Sequence, residues 1–86
     1  MLNGFKDYLR KQGNVKPNHI PYLIKWVGNF YSFLKIADTN LITAEHKNQY
    51  LSHLSKTHED WQVNQADTAL RLYNYFLSQE NNLPIP

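Results

Sequence analysis

Cysteine is absent from all 86 residues. That rules out a disulfide scaffold, a thiolate nucleophile and any zinc site built on thiolates, and it fits a reducing, cytoplasmic setting. Glycine is scarce, and Gly4, Gly13 and Gly28 stand alone, so no glycine-rich loop is available to cradle a phosphate. No apolar run approaches the ~20 residues that cross a bilayer, and the first residues lack the uninterrupted apolar core of a signal peptide. The alternation of a β-strand is missing, as is any internal repeat of useful length. Carboxylates are few and scattered, and no serine has a partnered base. Glu59 and Asp60 read as an acidic pair at a helix start rather than an acid–base dyad. The chain on its own is therefore not expected to be an enzyme, and no cofactor is implied.

Four histidines invite a metal reading, but their spacing opposes it. His46 and His53 are two helical turns apart, roughly 10 Å along the axis, too far to share an ion. His53 and His58 straddle an expected helix end without a convincing third ligand, and His19 stands alone.

The length allows one domain with a single modest core. With 42% hydrophobic and 14% aromatic residues the composition is that of a folded chain. Net charge is only +2, but it is unevenly spread. Residues 1–35 hold Lys6, Arg10, Lys11, Lys16, Lys25 and Lys35 against Asp7 alone. Residues 36–86 hold Lys47, Lys56 and Arg71 against Asp38, Glu45, Glu59, Asp60, Asp67 and Glu80. A basic front half suits a polyanionic partner, while random scatter of surface charge gives the same tally.

The chain is organised around residues 20–34, where Ile20, Leu23, Ile24, Val27, Phe30, Tyr31 and Leu34 return to one face of a 3.6-residue period. Asn18 is expected to cap this helix, with Pro21 in its first turn. Trp26 and Phe33 add a second apolar stripe, leaving a polar strip of Lys25, Asn29 and Ser32 with Tyr22 at its edge. A shorter helix over 3–12 carries Phe5, Tyr8 and Leu9 and stops at Gly13. After a turn at 38–40, Thr43 is expected to cap a helix over 44–56 that buries Tyr50, Leu51 and Leu54, with Ile42 as a hydrophobic staple. Asp60 should cap a last helix over 61–78, burying Val63, Ala66, Leu70, Tyr73 and Leu77, with Ala69 and Phe76 alongside. Residues 81–86 end in Pro84 and Pro86, which favour an extended tail. The expected fold is all-α: a compact bundle of four helices, five at most, over residues 1–80. Trp26 and Trp61, each bordering an apolar stripe, are expected in the core.

Residues 19–34, HIPYLIKWVGNFYSFL, are similar to the opening helix of the core-binding domain of tyrosine recombinases, the phage and integron integrases. In that family the helix carries a tyrosine, then apolar residues, then an aromatic-rich end. Residues 65–77, QADTALRLYNYFL, resemble the later helix of the same domain, with its small-residue start and aromatic finish. Between them, 42–54 falls where the family has a helix that packs rather than reads DNA. The resemblance covers about residues 17–78 and leans towards integron-type integrases. It implies a SAM-like fold that grips double-stranded DNA for integration and recombination. Cleavage would belong to a separate C-terminal catalytic domain, and 81–86 would begin the linker to it. Such a fragment would be a monomer in isolation, its parent an oligomer on DNA.

The contacts this implies are Lys16, His19, Tyr22, Lys25 and Asn29 at the first DNA-facing helix, and Gln62, Asn64, Gln65, Thr68 and Arg71 on the last. The family often has a basic residue at or beside the position of Asn64. Here there is none, and Arg71 follows one or two turns later. The residue chemistry agrees: Lys and Arg attract phosphate, and Asn and Gln can pair with adenine edges. The competing reading is a helical protein–protein interaction domain whose exposed patch is Trp26, Phe33, Tyr75 and Phe76.

Overall fold

A computed structural model describes residues 3–13, 15–36 and 42–80. The elements are α1 (Asn3–Gln12), a 3-10 turn (Pro17–His19), α2 (Ile20–Leu34), α3 (Ala44–Ser55) and α4 (Asp60–Glu80). No strand occurs among the described residues, and the all-α four-helix reading holds. The turn expected at 38–40 and the tail 81–86 lie outside the described residues.

Each boundary has a local cause. Arg10 and Lys11 occupy the last turn of α1, favourable against the negative end of its dipole. Gly13, at φ 71°, then takes the left-handed conformation that ends the helix. Pro17 forces Lys16 into extended backbone (φ −65°, ψ 136°), and a 3-10 turn follows. That turn displaces the expected Asn18 cap: His19 stands at the N-cap of α2, with no side-chain cap bond. Pro21 does sit in the first turn, where a missing N–H costs nothing.

At the other end of α2, Lys35 takes the left-handed conformation (φ 57°) that glycine usually fills. The N–H groups of Lys35 and Ile36 both donate to the Tyr31 carbonyl, and half-buried Ile36 packs on the core. Thr43 caps α3 as expected, its Oγ1 accepting from the His46 N–H at 3.1 Å. The start of α4 differs from expectation. Asp60 lies inside the helix, and the Gln62 side chain reaches back to accept the Glu59 N–H at 2.9 Å, one half of a capping box.

The core draws on every helix: Phe5 and Leu9; Ile20, Leu23, Trp26, Val27, Phe30 and Tyr31; Tyr50 and Leu54; Ala66, Ala69, Leu70, Tyr73 and Leu77. Burying each large side chain contributes about 1.5–3 kcal/mol. Edge-to-face rings run through it as one relay. Phe5 meets Tyr73 at 4.9 Å, Tyr73 meets Tyr31 at 5.6 Å, Tyr31 meets Phe30 at 4.9 Å and Phe30 meets Tyr50 at 5.5 Å. That relay joins α1, α4, α2 and α3 with the geometry the ring quadrupole favours. Gly4 lets α1 lie close on α4, since a Cβ there would stand 3.1 Å from the Phe76 ring.

Two expected core positions differ. Trp61 is 62% exposed, because it is in phase with Asn64, Thr68 and Arg71 on the outer stripe of α4 rather than with Ala66 and Leu70. Phe33 is 40% exposed and stacks on His53 at 4.8 Å. Leu51, Val63 and Phe76 are half-buried.

Candidate nucleic-acid interface

The first half of α2 and the first turns of α4 lie side by side, tied where the Trp26 indole N–H donates to Gln65 Oε1 at 2.9 Å. Trp26 is buried at this seam, at 6% exposure. Around it runs a groove of ≈ 360 Å³ lined by His19, Tyr22, Lys25, Trp26, His58, Trp61, Gln62 and Gln65. The helical period explains the lining. His19 at the N-cap of α2 and Tyr22 and Lys25 within it come up in steps of three, and Gln62 and Gln65 do the same on α4. His58, at the end of the α3–α4 connection, packs edge-on against Trp26 at 5.6 Å. A second groove, ≈ 280 Å³, adjoins the first and is lined by Val15, Lys16, His19, Leu23, Gln65, Thr68 and Leu72. His19 and Gln65 belong to both.

Seven of the ten expected contact residues thus meet: Lys16, His19, Tyr22, Lys25, Gln62, Gln65 and Thr68. No carboxylate lines either groove. Glu59 and Asp60 are exposed nearby, at the start of α4, outside both linings. Asn29, on the solvent stripe of α2, and Asn64, on that of α4, are exposed but line neither groove.

Arg71 is in different surroundings. It lines a separate ≈ 290 Å³ groove between α3 and α4, with Ile42, Thr43, Ala44, Lys47, Leu70 and Asn74. Its guanidinium pairs with Asp67 Oδ2 at 3.0 Å, one turn back on the same helix. Lys47 Nζ approaches Asp67 Oδ1 at 3.1 Å without an aligned hydrogen bond, so that contact is Coulombic. One carboxylate therefore holds two cations, and the Arg71 guanidinium already faces an anion. In the same groove Asn74 clamps the backbone of Ile42. Its Oδ1 accepts the Ile42 N–H at 2.9 Å, and its Nδ2 donates to the Ile42 carbonyl at 3.4 Å.

Sequence reasoning placed neither His58 nor Trp61 at a site. The signal for Trp61 was available in its phase with the polar residues of α4; for His58, which sits in a connection, there was none. The histidines do not converge: among the described residues no three His, Asp or Glu side chains are placed to hold a metal ion. Burial raises the Tyr50 phenol to about 12, and its hydroxyl donates to the Trp26 carbonyl over a long 3.4 Å, tying α3 to the back of the seam. Compared with family models, curated proteins and solved structures, the chain matches none of them.

Proposed function

We propose that this chain is a duplex-DNA-gripping module, the core-binding part of a tyrosine recombinase whose strand chemistry belongs to a separate catalytic domain. One observation carries the reading: the α2–α4 seam gathers Lys16, Lys25, His19, two glutamine amides and a threonine along two adjoining grooves with no carboxylate in the lining. Cations there attract phosphate and set register, and the amides are of the type that reads base edges. The likeness of 19–34 and 65–77 to the family's helices supports the recombinase assignment. It is the reason to favour duplex DNA over other polyanions.

A protein partner is the second reading, favoured by the exposure of Trp61 and Tyr22, residue types that dominate interface energetics. Salt separates the two. With Arg71 paired to Asp67, Lys16 and Lys25 can neutralise about two phosphates, so log Kd should follow log salt with a slope of about 2. Affinity for a short duplex should fall about 10- to 15-fold between 50 and 200 mM salt. Fluorescence anisotropy with a labelled duplex measures this. A salt-independent or absent interaction would remove the DNA reading and leave the protein-partner one.

A further inference from the structure

We infer that the groove between α3 and α4 binds a small aliphatic carboxylate, held by Lys47 and Arg71. It is independent of the duplex reading, whose face is the α2–α4 seam. The groove, ≈ 290 Å³, has no carboxylate in its lining, and both of its charged residues are cations. Ile42, Ala44 and Leu70 supply its apolar side. Lys47 and Arg71 approach the same carboxylate, Asp67, at 3.1 and 3.0 Å, so their charges form one patch. Two cations against one anion leave a single positive charge, the complement of a monoanion.

Both cations keep donors for a ligand. The Lys47 side chain is only 24% exposed, and its ammonium stands 3.1 Å from Asp67 Oδ1. Yet that oxygen accepts no hydrogen bond among the described residues. The three N–H groups of Lys47 therefore lack this acceptor, in a partly buried place where an unpaired donor is costly. Arg71 meets Asp67 Oδ2 at 3.0 Å and keeps others of its five N–H groups. Asn74 does not compete, because both ends of its carboxamide are bound to the Ile42 backbone. A ligand carboxylate supplies the acceptor that Lys47 lacks and can take a charge-assisted bond from Arg71. Length sets the size of the ligand. The groove runs from Thr43 to Lys47 at the start of α3 and from Leu70 to Asn74 on α4, about 6 Å at 1.5 Å per residue. An extended peptide places only about two residues in that distance. A short branched chain beside the carboxylate fills it against Ile42 and Leu70.

The test titrates isocaproate, its neutral amide isocaproamide, inorganic phosphate and an acetylated tripeptide ending in leucine against the whole chain, by NMR at fixed ionic strength. Isocaproate should shift the amide signals of 42–47 and 70–74 with a Kd on the order of 1 mM. It should bind about 10- to 150-fold tighter than isocaproamide, the ratio given by one hydrogen bond to a charged group. Lys47→Met keeps the stem, removes the ammonium and should lose most of that preference. Asp67→Asn should tighten isocaproate, which a loosened fold would not do; circular dichroism checks that both variants stay folded. Equal affinity of wild type for acid and amide, shifts confined to other residues, or a preference unchanged by Lys47→Met would overturn the site. Phosphate binding as tight as that of isocaproate would overturn the aliphatic assignment. Tighter binding of the tripeptide than of isocaproate would overturn the assignment to a small molecule.

Discussion

Trp26 on α2 and Gln65 on α4, 39 residues apart, share a 2.9 Å hydrogen bond at the seam between the two helices. The indole fills the core while its N–H reaches the edge of the candidate interface, so one residue joins packing to the site. Trp26→Ala should destabilise by about 3–5 kcal/mol in urea unfolding, the cost of emptying a large core site. Gln65→Leu, which removes only the acceptor, should cost about 1–3 kcal/mol by leaving the indole N–H unpaired. A Trp26→Ala variant as stable as wild type would mean the seam is not packed as described.

Asn74 should matter to stability although its side chain is polar. Asn74→Ala leaves both the N–H and the carbonyl of buried Ile42 without their partner. The expected loss is about 1–3 kcal/mol. Hydrogen exchange at the Ile42 amide reports it directly, and protection equal to wild type would contradict the clamp.

Stability should fall in alkali through Tyr50. Its phenol ionises near 10.0 when unfolded and at about 12 in the buried site. The unfolded chain thus releases that proton first. The contribution of Tyr50 is intact below about pH 10 and is lost as pH rises towards 12. Tyr50→Phe should lose less stability than wild type between about pH 8 and about pH 11 in urea unfolding. Parallel losses would place the effect on other groups.

Lys25 on α2 and Arg71 on α4 should contribute unequally to duplex binding. Lys25 lines a groove without carboxylates, whereas Arg71 shares Asp67 with Lys47. Lys25→Ala should lower the salt slope of duplex binding by about 1, and Arg71→Ala by clearly less. Asp67→Asn should raise duplex affinity by releasing Lys47 and Arg71. Equal slopes for the two alanine variants would show that Arg71 contacts phosphate despite its pairing.

Much of the fold is legible in the sequence because its signals are local. The period of 20–34, the stop at Gly13 and the cap at Thr43 each follow from a few adjacent residues. The Asn18 cap misleads because Pro17 acts more strongly, setting Lys16 extended and opening a 3-10 turn. Lys35 carries no sign of a left-handed cap, since the packing of Ile36 rather than its own type puts it there. Asp67 and Arg71, four apart on one helix, could have been paired from spacing alone. The meeting of Gln65 with Trp26 and of Asn74 with Ile42 could not, because both depend on how helices dock. For the same reason the sequence could offer ten contact residues but not say which seven of them gather in the α2–α4 grooves.

The most direct test of the proposed duplex grip is an NMR titration of the labelled chain with a short duplex in dilute salt. Amide signals over residues 16–25 and 61–68 should shift together and return as salt is added, while those of α1 and of the groove around Asn74 stay in place. Unmoved signals at 16–25 and 61–68, or shifts confined to α1 and the groove around Asn74, would contradict the account.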